Sequence, residues 1–235
     1  MIGRRRRAGP KLPRAVLLDA LGTLIELQPP APMLANELER RFGLHIGIGQ
    51  AERAIATEIS YYREHFDDGA NPEELIELRR RCVVAMRDEL PEDAERVPID
   101  ELTEALLASI TFRVFPDVGF ALGSARTRGV RLIVVSNWDV SLHDVLGRIG
   151  LTPLLHGIVT SAEAGARKPD PSIFAEALNL AGVPAAKAIH VGDSLEDDVE
   201  GARAAGIEPV LLRRDGSPGP EGTRTVANLV ELFSS

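Results

Sequence analysis

Apolar residues along this chain fall into two textures that meet near residue 113. From about 33 to 112 they recur at three- and four-residue spacing: Leu34, Leu38 and Phe42, then Ile55, Ile59 and Tyr62, then Leu75, Leu78, Cys82 and Met86. Each set draws one apolar stripe along a helix. Breaks near 43–49, 67–72 and 91–98 divide the stretch into four predicted helices, and Pro29, Pro30 and Pro32 read as a linker ahead of them. Beyond 113, short apolar runs alternate with helical patterns. Residues 130–135, 158–160, 188–191 and 209–212 are strand-like, whereas 140–149, 171–180, 197–205 and 225–233 are helix-like. Unbroken apolar runs belong to strands buried on both faces, and their alternation with helices implies a parallel sheet wrapped by helices. Val16, Leu17 and Leu18 form another such run, so the sheet takes its first strand from residues 15–19 and the helical block is an insertion into it. The expected organisation is therefore a tail at 1–14, an α/β core from 15–27 and 113–235, and a helical insert at 28–112.

Charge adds one feature. The net charge of −8 hides a basic start: Arg4 to Arg7, Lys11 and Arg14 supply six of the 27 basic residues, with no acid among the first fourteen. Without that segment, 21 basic residues face 35 acidic ones, which argues against nucleic acid as the main partner. The segment itself reads as a disordered tail without assigned function. No apolar stretch reaches the roughly 20 residues of a membrane span, and no apolar segment of a secretory signal is present, so a cytoplasmic location and no membrane partner are expected. The single cysteine, Cys82, excludes an internal disulfide framework. Nothing in the sequence specifies an oligomeric state.

Candidate chemistry gathers where strands end. Asp19 closes the first run just before a turn that Gly22 permits, at the sheet edge where ligands of open α/β folds bind. Support of the turn by its side chain is the alternative. Ser136 and Asn137 follow the run at 132–135 and open a helix, which suits either an anion site or ordinary capping by Asn137 or Asp139. Lys168 precedes Pro-Asp-Pro at another helix start. The chain uses 24 arginines and only three lysines, so a lysine here suggests a need for a compact charge rather than a surface cation. Gly192-Asp-Ser-Leu-Glu-Asp-Asp198 packs three aspartates and a glutamate together, a pattern that suits Mg²⁺ held by carboxylates. A capping box of Ser194 with Asp197 is compatible with the same residues.

These four segments, in this order, resemble the motifs of the haloacid dehalogenase superfamily of hydrolases, over residues 15 to about 212. The resemblance implies a Rossmann-like parallel-sheet core flanked by helices, with an α-helical cap between the first and second motifs. It makes Asp19 the nucleophile of a covalent aspartyl intermediate, with Ser136, Thr23, Asn137 and Lys168 around the transferred group. It implies Mg²⁺ held by Asp19, the Leu21 carbonyl oxygen and Asp193, with Asp198 acting through water. Small phosphorylated or halogenated molecules are the implied substrates. The departure is Leu21, where phosphatases of the superfamily carry a second Asp as general acid, a service worth roughly 10²–10⁴-fold. A phosphatase of low or leaving-group-dependent activity is the favoured reading. A 2-haloacid dehalogenase and a non-catalytic ligand-binding member are the alternatives. Glu58, Tyr61, Tyr62, Arg63 and His65 cluster on one predicted helix; a substitute acid or substrate contact is one reading, a packing or solvated helix face the more ordinary one. His190 is expected to be a hydrogen-bonded strand-end residue.

Overall fold

A computed structural model describes residues 12–233 of the chain. The expected tail lies outside them up to residue 11. Residues 12–14 belong to the fold instead: Leu12 packs on the core, and the Arg14 backbone bonds to Lys187 and Arg131.

The chain opens with β1 (Ala15–Leu18), turns, and forms a short β2 (Ile25–Leu27). Four helices follow: α1 (Pro30–Phe42), α2 (Ile48–His65), α3 (Pro72–Arg87) and α4 (Ile99–Ser109). β3 (Phe112–Val114) then pairs antiparallel with β2, closing the insertion where it leaves the core. Next come α5 (Val118–Thr127), β4 (Arg131–Ser136), α6 (Leu142–Arg148), β5 (Gly157–Thr160), the single turn α7 (Ser161–Ala164) and α8 (Pro171–Ala181). β6 (Ala188–Gly192) leads through a π-helical turn (Leu195–Glu200) into α9 (Gly201–Ala204), then β7 (Glu208–Leu212) and β8 (Arg224–Val226).

The six-stranded sheet has the order β5-β4-β1-β6-β7-β8 and is parallel throughout. Strand alternation divides its side chains between two layers. Val16 and Leu18 face a cluster with Val118, Leu122, Leu142 and Leu146, while Ala15 and Leu17 face one with Ile173, Phe174 and Ala177. The four inserted helices bury a third cluster of their own, built on Leu34, Leu38, Ala51, Val83, Met86 and Leu102. No helix among the described residues is long and apolar enough to cross a membrane.

Two expectations needed correction, and one helix, α5, had not been expected. Pro30 begins α1 rather than extending a linker, because a proline in the first turn gives up an N–H that had no helical partner. α5 carries a buried stripe of Val118, Ala121, Leu122 and Ala125 that Gly119 and Gly123 obscure by their low helix propensity. The region 225–233 is not a helix: Arg224–Val226 pairs with β7, and only a 3₁₀ turn, Leu229–Leu232, follows. There the open edge of the sheet outweighed the helical spacing.

Candidate active site

Parallel register places the functional residues before any side chain is considered. Leu18 of β1 is level with Val134 of β4 on one side and with Val191 of β6 on the other. Asp19, Ser136 and Asp193 therefore leave three adjacent strands at one edge. The chain order also reverses at β1, with β4 and β5 on one flank and β6 to β8 on the other. Such a switch point opens a crevice beyond the strand ends.

Asp19 is buried there, its N–H donating to the Val191 carbonyl at 2.9 Å. Lys168 Nζ donates to Asp19 Oδ1 at 2.7 Å and to Asp198 Oδ1 at 2.6 Å, and Ser136 Oγ donates to Asp19 Oδ1 at 3.2 Å. Lys168 is only 3% exposed, which removes the surface-cation reading. The carboxylate of Asp19 takes its bonds from these distant groups rather than from its own turn. No donor among the described residues reaches its Oδ2. Asn137 lines the cavity, but its amide is committed to Lys168: Nδ2 donates to the Lys168 carbonyl at 3.0 Å, and the Lys168 N–H donates to Oδ1 at 2.7 Å. It holds the lysine in place and does not cap a helix; its oxygen and one of its two N–H groups are taken, while the second N–H makes no hydrogen bond among the described residues. Thr23 is fully buried, is absent from the cavity wall, and its hydroxyl has no hydrogen-bond partner among the described residues.

The acidic segment serves two ends. Ser194 Oγ accepts the Asp197 N–H at 3.1 Å, which is the capping role, and the widened π turn lets both Asp198 and Val199 N–H groups reach the Ser194 carbonyl. Asp198 is thereby folded back beneath the sheet edge, where His190 Nε2 lies 2.9 Å from its Oδ1 and the Ser194 N–H donates to its Oδ2. His190 is the hydrogen-bonded strand-end residue expected. Glycines make the convergence possible. A Cβ on Gly22, whose φ is +82°, would stand 2.3 Å from Asp193 Oδ2, and one on Gly192 would stand 2.1 Å from the Asp198 carboxyl. Carboxylate oxygens of Asp19, Asp193 and Asp198 lie within 4.8 Å of one another. Three carboxylates against one ammonium leave a surplus of negative charge. Burial pushes the Asp19 pKa up to about 6, Lys168 works against the rise, and Asp198 and Asp193 add to it. Burial opposes the charge on Lys168, but Asp19 and Asp198 outweigh it and raise its pKa. Burial likewise opposes the charge of Asp198, yet Lys168 and His190 hold its pKa below the usual range.

A cavity of about 890 Å³ lies between this edge and the inserted helices. Leu21, Asp193, Ser136 and Lys168 line it from the core, and Glu58, Tyr62, Arg63, Arg79 and Cys82 from α2 and α3. The insert is tied down at several points: Tyr62 Oη donates to Asp139 Oδ2 at 2.9 Å, and Asp67 accepts from Ser161 Oγ at 2.6 Å and from Arg167 Nε at 2.7 Å. Glu58 and Tyr62 thus face the cavity rather than solvent, whereas Tyr61 and His65 stack on each other outside it. Arg214 escaped the sequence reading altogether. It donates to the Gly22 and Thr23 carbonyls and to Asp117, and lies 3.6 Å above the Phe115 ring, bracing the turn that follows Asp19.

Comparison with known proteins agrees with this geometry. A family model described as haloacid dehalogenase-like hydrolase matches residues 13–206. The "Haloacid dehalogenase-like hydrolase domain-containing protein 3" of Bos taurus is 41% identical over 131 residues, 55% of this chain and 50% of the relative. The chain thus spans about half the length of such curated relatives. A "Glyceraldehyde 3-phosphate phosphatase" of Methanopyrus kandleri is 31% identical over 219 residues, 86% of this chain and 84% of its own. Among solved structures, an HAD phosphatase from Thermococcus onnurineus superposes with a TM-score of 0.64 at 26% identity, covering 93% of this chain and 95% of that one. With a strand-end aspartate against a buried lysine and the family model covering most of the sequence, the chain belongs to the haloacid dehalogenase-like hydrolases.

Proposed function

We propose that the protein is a Mg²⁺-dependent phosphatase of small phosphorylated molecules, acting through an aspartyl-phosphate on Asp19. The observation that carries this reading is the gathering of the Asp19, Asp193 and Asp198 carboxylates within 4.8 Å of one another, two of them bonded to the buried ammonium of Lys168. Asp19 and Asp193 offer hard oxygen donors without a cation of their own on the open side, the donor set that Mg²⁺ takes. They would hold the ion together with the Leu21 carbonyl. Asp198, both of whose oxygens already accept hydrogen bonds, would act from behind. The ion would supply positive charge for the phosphoryl oxygens. Relatives named as phosphatases support the same choice.

In this reading Lys168 lets an anion approach an anion. Its ammonium offsets the charge of Asp19 and holds the carboxylate in one orientation, and Ser136 steadies the same oxygen. Asp19 bonds to phosphorus as the ester P–O bond breaks, and water then releases phosphate from the aspartyl group. Asn137 contributes by fixing the Lys168 backbone. The inserted helices cover the cavity as a cap that limits water and shapes the choice of substrate. Arg63 and Arg79, which have no salt-bridge partner among the described residues, add positive potential suited to an anionic ligand.

A panel of phosphate esters, run with Mg²⁺ and with EDTA beside a chloride-release assay on 2-chloropropionate, tests the reading. Phosphate release should fall about 10²-fold or more in EDTA, as several kcal/mol of lost charge stabilisation implies. Chloride release that needs no Mg²⁺, with no ester hydrolysed, would replace the phosphatase with a dehalogenase.

A further inference from the structure

Glu58 is a buried acid that the steps above do not use. α2 turns one face to the cavity, with Ile55, Glu58, Ile59 and Tyr62 along it at helical spacing. Glu58 sits in that face 6% exposed and makes no ion pair with any cation among the described residues. Arg63 and Arg79 share the cavity wall without pairing with it. The Cys82 thiol of α3 is its polar neighbour on the cavity wall, and Tyr62, one turn on, is turned away to Asp139. Burial raises the carboxyl pKa to about 7, while Cys82 lowers it slightly. Packing alone gives no reason for a carboxyl here, since a buried charge without a partner is costly and the group settles in its neutral form. A neutral carboxyl is a proton donor, and on the wall opposite it Leu21, 39% exposed, has none to give.

We propose that Glu58 is the general acid of the reaction, protonating the leaving-group oxygen of a phosphomonoester from the inserted helices. This rests on the phosphatase reading. As the Asp19 oxygen bonds to phosphorus, the ester P–O bond breaks with its electron pair going to the leaving oxygen, which takes the Glu58 proton and departs as an alcohol. Water attacking the aspartyl-phosphate then restores a proton to the Glu58 carboxylate. Substrates with poor, unactivated leaving groups are thus open to this enzyme despite the apolar residue at position 21.

The test compares kcat/KM for ethyl phosphate, whose alkoxide must be protonated, with that for 4-nitrophenyl phosphate, whose phenolate leaves unaided. Glu58→Gln should lose about 10²–10⁴-fold on ethyl phosphate and at least tenfold less on the nitrophenyl ester. Leu21→Asp added to that variant should recover most of the ethyl phosphate activity. Equal losses on both esters, as a purely structural role gives, would overturn the proposal. If Glu58→Gln does not fold, the wild type decides: rates across esters that depend only weakly on leaving-group pKa support an acid, and a steep dependence refutes one. A wild type inactive on every ester would instead remove the phosphatase reading, and the proposal with it.

Discussion

Asp19→Asn should abolish turnover of phosphate esters, lowering kcat by about 10⁴-fold or more, the scale on which loss of a covalent nucleophile is felt. The amide keeps the shape of the side chain but not its nucleophilic oxygen. The fold should stand. Asp19 is buried with its pKa already raised to about 6, so removing its charge relieves a crowded anionic site, and Lys168 retains Asp198 as a partner at 2.6 Å. Circular dichroism and thermal unfolding of the variant should match or exceed the wild type. Retention of activity within tenfold would show that another group attacks the substrate.

The second large effect is on stability. Lys168→Met removes the ammonium from between Asp19 and Asp198, both buried, and leaves Asp19 with only the Ser136 hydroxyl and Asp198 with His190 and the Ser194 N–H. Breaking a buried ion pair from one side costs about 3–5 kcal/mol. Urea unfolding in EDTA should show a loss of that size, and activity should vanish with it. Lys168→Arg should restore neither, because a planar fork does not occupy the space of a compact ammonium lodged between two carboxylates. A loss under about 1 kcal/mol for Lys168→Met would mean that the lysine is not held as described.

Much of this site was legible because its parts sit at places that sequence marks clearly. Val16 to Leu18 and the run before Ser136 are unbroken apolar strands, and the run before Asp193 is interrupted only by His190, so their ends could be located, and a parallel sheet brings such ends to one edge. Lys168 stood out by the rarity of lysine in an arginine-rich chain. What stayed hidden depended on contacts between residues far apart in the chain. Asn137 looked like a ligand contact or a cap, and only the fold shows its oxygen and one N–H bonded to the Lys168 backbone. Arg214 braces the turn at Gly22 and Thr23 from nearly two hundred residues away, with no local pattern to announce it. Gly22 and Gly192 were readable as turn and motif residues, but not as the clearance for the Asp193 and Asp198 carboxyls. The helical face bearing Glu58 was ambiguous because one stripe serves equally to pack, to face solvent or to line a cavity. The pairing of Arg224–Val226 with β7 was likewise invisible to helical periodicity.

The central claim is a phosphoryl group carried covalently by Asp19. Acid quench of the protein during turnover of radiolabelled acetyl phosphate with Mg²⁺, followed by peptide mapping, tests it most directly. Label should appear on the peptide containing Asp19, be released by hydroxylamine, and be missing from Asp19→Asn. Label on any other residue, or steady phosphate release with no protein-bound label, would contradict it.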